Sequence, residues 1–502
     1  MTANHAYDAL IGRHAGSDRP FLHRPGGGAW TFADFADRAA RLATVLSDTG
    51  LAPGDRVAVQ VAKHPDALAL YAASLRGGHV FLPLNTAYTA AELDHFVSDS
   101  GATLVACDAA NRDGIAPVAK RFGARAVTLA DLASRIDAAE PAAIATRGPD
   151  DLAAILYTSG TTGRSKGAML THDNLLSNAT TLADAWRFTP NDVLIHALPI
   201  FHTHGLFVAT NVTLAAGSSM IFHDRFDPDT VLADMARASV LMGVPTFYTR
   251  LLDHPGLSRD VAAGMRLFVS GSAPMLPETH RAWTDATGHR ILERYGMTET
   301  NMNASNPYDG DRRPGTVGPP LPGVEIRVTG DGRTPLPAGE TGMVEVRGPN
   351  VFPGYWNLPD KTAEELGPDG WFVTGDLGRL SEDGYLSIVG REKDLVITGG
   401  YNVYPKEVEE ALDALPGVLE SAVFGVPHPD MGEAVYAVVV PQPGASPDPD
   451  ALGAALSDTL ARFKQPRRID LIDALPRNTM GKVQKKVLRE RHAHAFAPER
   501  TA

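Results

Sequence analysis

Tyr157 to Gly167 reads YTSGTTGRSKG and directly follows the run DLAAIL, Asp151 to Leu156. Hydroxyls and glycines are interleaved here with two cations, Arg164 and Lys166, and almost nothing in the stretch can pack a core. Such a segment after a strand of buried character suits anion binding. Glycines admit unusual backbone angles, so several N–H groups can converge on one phosphate, and hydroxyls and a lysine add donors and charge. The spacing is not that of Walker A, G-x-x-x-x-G-K-[ST], which argues against a P-loop NTPase. A solvated surface loop is the competing reading of any Gly/Ser/Thr run, and the rest of the chain has to decide.

Around this stretch, short β-branched runs alternate with helical patterns up to about residue 390. RVAVQVA (Arg56–Ala62), TLVACD (Thr103–Asp108), AVTL (Ala126–Leu129), VLIHALP (Val193–Pro199), SMIFH (Ser219–His223), VLMGVP (Val240–Pro245) and MRLFVSG (Met265–Gly271) read as buried strands. FADFADRAARLATVLSDTG (Phe32–Gly50) reads as a helix stopped by glycine. This alternation predicts an α/β fold of layered, largely parallel sheets. From about Pro314 glycine and proline become dense, and EIRV (Glu325–Val328) and MVEVRG (Met343–Gly348) suggest a smaller β-rich subdomain. A further change comes at GREKDLVITGGYNVYPKEVEEALDALPGV (Gly390–Val418), after which strand and helix patterns describe a compact α+β unit. The expected division is a large N-terminal domain over 1–390, a linker over 391–395 and a small C-terminal domain over 396–502. PQPGASPDPDA (Pro441–Ala451) is a surface loop by composition.

Composition narrows the function. The chain has 502 residues, 44% hydrophobic and 21% charged, with Lys plus Arg 46 against Asp plus Glu 59 and a formal charge of −13. Ordinary globular values and net acidity argue against a nucleic-acid binder. A single cysteine, Cys107, permits no intramolecular disulfide and fits a reducing compartment. The N-terminus has no apolar core of signal-peptide length, and no run of about 18 apolar residues suggests a membrane span. A cytoplasmic protein, monomer or weak homo-oligomer, is expected.

The order of motifs decides between loop and phosphate site. TSGTTGRSKG is followed by LPIFHTHGL (Leu198–Leu206), VSGSAPM (Val269–Met275), ERYGMTET (Glu293–Thr300), GYW (Gly354–Trp356), WFVTGDLG (Trp371–Gly378), GREKDLVITGGYNVYPKEVE (Gly390–Glu409) and PRNTMGKVQKK (Pro476–Lys486). This ordered set resembles the adenylate-forming superfamily of acyl-CoA synthetases, luciferases and peptide-synthetase adenylation domains, and the resemblance spans essentially the whole chain. It implies carboxylate activation by ATP with Mg²⁺, release of pyrophosphate, and acyl transfer to a thiol such as CoA. It also implies a mobile C-terminal domain.

By that resemblance, Thr158, Ser159, Gly160, Thr161, Thr162, Gly163 and Lys166 cradle the β- and γ-phosphates. Thr298 meets the α-phosphate and Glu299 holds Mg²⁺, a hard cation that wants carboxylate oxygen. Tyr295 stacks on the adenine, the backbone of Ser270, Gly271, Ser272 and Ala273 lines its other side, and Glu293 and Arg294 join the ATP-binding residues. Asp376, assisted by Arg391, takes the ribose hydroxyls. Lys482 is the catalytic lysine of the first step, one of three with Lys485 and Lys486. Its ammonium would offset charge on the transferring atoms, and acetylation would silence it. Lys393 occupies the hinge position. Gly399, Gly400 and Tyr401 in TGGYN would border the pantetheine. Arg462, Lys464, Arg467 and Arg468 offer cations to the CoA phosphates, although a solvated basic face explains each of these nearly as well.

The acid is read from the acyl-pocket segments. His202 is the common histidine near the reacting carboxylate, and His204 is an additional polar group. In VLMGVPTFYTRLL, Arg250 stands where an apolar acid would want an apolar residue; a buried cation there needs a ligand anion, although a solvent-facing helix position explains it equally well. Through these segments the chain is similar to the malonyl-CoA synthetases. That resemblance implies a dicarboxylate ligand at Arg250, with Thr203, Ser270 and Met302 as pocket wall and methylmalonate as a second substrate. A synthetase for another short or aryl acid is the alternative, as is an adenylation enzyme that loads a carrier protein.

Overall fold

The computed structural model describes residues 3–24, 27–158, 165–398, 401–429, 431–457, 459–478 and 481–496. The chain divides into two compact units, residues 1–326 with 346–372 and residues 327–345 with 373–502. The boundary expected at 390 therefore falls inside the second unit.

The first unit is built on two sheets, as the alternating pattern predicts. In one, Arg125–Thr128, Leu104–Cys107, Arg56–Gln60, Val80–Pro83 and Leu152–Thr158 lie side by side in parallel. Lys166–Thr171 closes its edge antiparallel to Leu152–Thr158, with Thr158 opposite Lys166. The ends of YTSGTTGRSKG therefore lie on two paired antiparallel strands, where a P-loop joins a strand to a helix, and residues 159–164 lie outside the described residues. The second sheet has eight strands in the order Asn301–Ser305, Leu292–Met297, Leu267–Ser270, Val240–Gly243, Val193–His196, Ser219–Phe222, Pro20–His23 and Ala29–Thr31. Its interior pairs are parallel, and its two outermost strands are antiparallel to their neighbours.

Strands such as LVAC and LFVS are buried at every residue, as parallel strands covered on both faces must be. Helix Phe32–Ser47 begins at a capping box between Thr31 and Asp34 and buries Phe35, Leu42, Val45 and Leu46. Trp283 meets Tyr248 and Phe268 edge-on, so helices Pro245–Leu252 and Pro277–Thr287 are pinned to the eight-stranded sheet. Cys107 is buried, and burial pushes its thiol up to about 11, which leaves it unreactive.

The parallel strands of the eight-stranded sheet end at His196, Gly243 and Ser270. From those ends emerge the segments HTHG, VPTFYTR and GSAP. Open α/β sheets bind ligands beyond the carboxyl ends of their strands, so the fold gathers these motifs at one edge.

In the second unit, Val418–His428 and Gly432–Pro441 form a long antiparallel hairpin; the free edge of Gly432–Pro441 pairs in parallel with Arg468–Leu471 and, at Gly432, antiparallel with Val396–Thr398, which in turn pairs with Tyr401–Val403. Alternate residues serve two small cores. Val423, Val435 and Val439 pack with Val408, Leu412, Leu452 and Leu456 of helices Pro405–Asp413 and Pro449–Leu456. Phe424, Tyr436 and Val438 pack with Leu488 of helix Lys485–His492. The β-rich stretch expected after Pro314 is present as strands Glu325–Thr329, Gly342–Arg347, Phe372–Leu380 and Leu386–Arg391.

Candidate active site

In the first unit, Lys166 stands in a charged cluster. Lys166 Nζ lies 3.2 Å from Glu365 Oε1 and 3.9 Å from the centre of the Tyr355 ring. The Tyr355 hydroxyl lies 2.6 Å from Glu365 Oε2 and 3.1 Å from Glu299 Oε1. One phenol therefore links the lysine's counter-ion to Glu299. Burial and the two carboxylates push that phenol far above its ordinary range. Burial alone would raise the Glu365 carboxyl, but Tyr355, Lys361 and Lys166 outweigh it and hold it below the usual value. Glu299 itself is buried, and Thr298 beside it is half-buried. Tyr355 belongs to the quoted GYW motif, but Glu365 sits in an ordinary-looking helix, Pro359–Glu365, and carried no signal. Tyr355→Phe removes the hydroxyl shared by the two carboxylates. Losing a hydrogen bond to a charged group is worth about 1.5–3 kcal/mol, so kcat/KM for MgATP is expected to fall at least about tenfold in acid-dependent pyrophosphate exchange. The KM for the acid should stay unchanged.

A second group lies at the ends of the parallel strands. Arg294 is 4% exposed. Its Nε and Nη2 have no hydrogen-bond partner among the described residues, and burial lowers its guanidinium to about 9. Gly271 lies flat against it: a Cβ there would come within 2.5 Å of Arg294 Cζ. Tyr248, whose hydroxyl donates to the Val269 carbonyl at 2.6 Å, and His204 both feel its charge. His204 is 1% exposed, and burial, Arg294, His202 and His196 keep its imidazole neutral. Its Nδ1 is 3.2 Å from Ser272 Oγ. Ser272 takes the left-handed conformation, φ 71°, a strained choice for a non-glycine residue. His204 Nε2, Thr203 Oγ1 and Ser270 Oγ are also buried without a hydrogen-bond partner among the described residues. His202 is half-buried, and its Nδ1 lies 3.5 Å from the His204 amide. Met302 and Tyr295 are buried on the adjoining strands.

Arg250 is different. Tyr248 and Leu251 point into the core, whereas Arg250 is exposed on helix Pro245–Leu252. In solvent its guanidinium is not desolvated and needs no ligand anion to offset burial. The buried cation is Arg294 instead, expected among the ATP-binding residues.

In the second unit, Asp376 is 3% exposed and lies 2.7 Å from Arg391 Nε, its cross-strand partner. The Lys393 ammonium is pushed down to about 8 by desolvation and by Arg391 and Lys482, against Asp394 and Asp376. The structure thus draws Asp376, Arg391, Lys393 and Lys482 into one electrostatic neighbourhood. Lys482 itself is exposed, with its amide donating to Asn478 Oδ1 at 3.0 Å. Among the residues expected to meet CoA, Tyr401 is 58% exposed and stacks on Phe463. Arg462 is exposed. Lys464 is paired with Glu407 at 2.6 Å and Arg468 with Asp470 at 2.9 Å, and Arg467 lies against Met431. Gly399 and Gly400 lie outside the described residues, as do Ser159 to Gly163.

Known proteins give this geometry a context. Residues 12–356 match the family described as AMP-binding enzyme, and residues 407–482 match the AMP-binding enzyme C-terminal domain. The chain superposes on the crystal structure of ATP-bound MatB from Rhodopseudomonas palustris with a TM-score of 0.96 and 57% identity, covering 99% of this chain and 100% of that one. A feruloyl-CoA synthase from Amycolatopsis is 38% identical over 93% of this chain and 95% of its own. A malonate–CoA ligase from Arabidopsis thaliana is 36% identical over 82% of this chain and 74% of its own.

Proposed function

Because this chain belongs to the AMP-binding enzyme family and is an AMP-forming acid–CoA ligase, we propose that its acid is malonate, with methylmalonate as a second substrate. The reaction is malonate + ATP → malonyl-adenylate + pyrophosphate, then malonyl-adenylate + CoA → malonyl-CoA + AMP. The observation that carries this reading is the buried Arg294 with two N–H groups unpartnered among the described residues. An unpaired buried guanidinium is costly in the free protein, and a carboxylate that binds it recovers that cost. Malonate reaches this arrangement with one carboxylate to spare: the proximal group reacts near His202 while the distal one lies on Arg294. Arginine holds a carboxylate through two N–H groups at once, and Thr203, His204 and Ser270 offer further donors. Ferulate would set a neutral aryl ring against the same cation.

The remaining groups take roles that their chemistry suits. Thr158 and Lys166 bind the distal phosphates, with Lys166 leaving Glu365 for the nucleotide. Among the described residues there is no group of three or more His, Cys, Asp or Glu that could hold a metal. Mg²⁺ would accordingly rest on Glu299 and the nucleotide's own phosphates, the usual way a hard cation is held with a triphosphate. When bound, it neutralises phosphate charge. Tyr295 and the 270–273 segment receive adenine, Asp376 the ribose, and Lys482 steadies the carboxylate as it meets the α-phosphate. Lys393 is the hinge. Tyr401 and Arg462 remain available to CoA, whereas Lys464 must first leave Glu407.

CoA-dependent AMP formation across malonate, methylmalonate, succinate, sulfoacetate, acetate, butyrate and ferulate tests the reading. Malonate is expected to lead, with methylmalonate behind it and the monocarboxylates slower by two orders of magnitude or more. A preference for ferulate or butyrate would overturn the dicarboxylate assignment and leave the ligase chemistry intact.

A further inference from the structure

Lys63 is an unexpected neighbour of this site. It lies in the segment VAKH between strand Arg56–Gln60 and helix Pro65–Gly77, both part of the six-stranded layer. Its side chain reaches the eight-stranded sheet, where Nζ lies 3.0 Å from His196 Nδ1 and 2.6 Å from the His196 carbonyl oxygen. It also sits 4.3 Å from the centre of the Phe222 ring. No carboxylate lies within ion-pair distance among the described residues; Asp224 acts on it only from farther away, and although the residue as a whole is half-buried, desolvation at its ammonium pushes it well below the ordinary lysine range. A lysine so placed needs a reason, because hydrophobic replacement would remove the desolvation cost.

The geometry beyond His196 supplies one. His196 is fully buried at the end of strand Val193–His196. Its Nε2 lies 2.9 Å from the Gly205 carbonyl oxygen and 3.2 Å from Thr210 Oγ1. A carbonyl only accepts, so Nε2 carries the proton and Nδ1 is left to accept from Lys63. Burial and the Lys63 charge keep the imidazole neutral, consistent with that tautomer. Gly205 belongs to the π-helix His204–Thr210, which begins right after His202 and Thr203. Space there is tight: a Cβ at Gly205 would come within 2.0 Å of the Pro199 carbonyl oxygen. π-helical turns are uncommon and occur frequently at functional sites.

We propose that Lys63 and His196 are positioning residues for the acid site: Lys63 fixes the His196 tautomer, and His196 holds Gly205 so that His202, Thr203 and His204 face the substrate. Neither residue touches the reacting atoms. The role rests on the family-level acid site and on the proposed placement of those three residues, not on which acid is used.

The test measures steady-state kinetics of wild type, Lys63→Met, His196→Leu and His196→Gln, using whichever acid the wild-type enzyme prefers. Displacements of about 1 Å can lower a rate by about 10²-fold. Lys63→Met and His196→Leu are therefore expected to lower kcat/KM for the acid by about 10- to 100-fold, with KM for ATP changed less than twofold. His196→Gln keeps a donor for the Gly205 carbonyl and should recover most of the loss. Three results would overturn the proposal: wild-type acid kinetics in Lys63→Met; a Gln variant as impaired as Leu at equal thermal stability; or KM for ATP and acid rising together in step with a lower melting temperature. A wild-type preference for a monocarboxylate would defeat the malonate reading without deciding this one.

Discussion

Arg294→Met is expected to lose malonate and keep its fold. Removing one partner of a buried charge pair costs about 2–5 kcal/mol, or roughly 30- to 5,000-fold in kcat/KM. The loss should fall on dicarboxylates. Acetate and butyrate, which place nothing on the guanidinium, should be used as well as before or better. Stability should move the other way from a typical core substitution. In the free protein Arg294 is buried, its Nε and Nη2 have no partner among the described residues, and burial lowers its guanidinium to about 9. Methionine fills similar space without that desolvation cost, so the variant's melting temperature should equal or exceed wild type. Malonate should raise the melting temperature of wild type and leave that of the variant unmoved, since a ligand stabilises only what it binds. A variant that is both inactive and unstable would show instead that Arg294 is a packing residue.

Lys482→Ala is expected to separate the two half-reactions. Lys482 is exposed, so its loss should leave stability unchanged. Loss of one group that stabilises developing charge costs about 10²–10³ in rate. Malonate-dependent pyrophosphate exchange should fall by that factor, whereas thioester formation from supplied malonyl-adenylate should be retained within a few-fold. An equal loss in both steps would place Lys482 outside the adenylation chemistry.

Much of the fold was legible because buried parallel strands announce themselves. VAVQ, LVAC, LIH and LFVS are short β-branched or apolar runs between helical patterns, and each forms a strand. The domain boundary was less so: composition changes at Gly390, whereas strands contributed from 327–345 and 373–391 fold with the second unit. Residue roles diverged where a motif and a periodicity disagreed. In VPTFYTRLL, Tyr248 and Leu251 face inward, three residues apart, and that spacing leaves Arg250 outside. The buried cation in need of a ligand anion is Arg294, which the motif ERYGMTET places among the ATP-binding residues. Lys63 and Glu365 carried no local signal at all. Their significance comes from the other strand or helix that folding sets against them, His196 in one case and Lys166 with Tyr355 in the other.

The central claim is that the substrate's second carboxylate rests on Arg294. A crystal structure of the enzyme with malonate and a non-hydrolysable ATP analogue tests it most directly. One malonate carboxylate is expected within hydrogen-bond distance of Arg294 Nε and Nη2, with the other near His202. A distal carboxylate paired with Arg250, or turned to solvent while Arg294 stays unpaired, would contradict it.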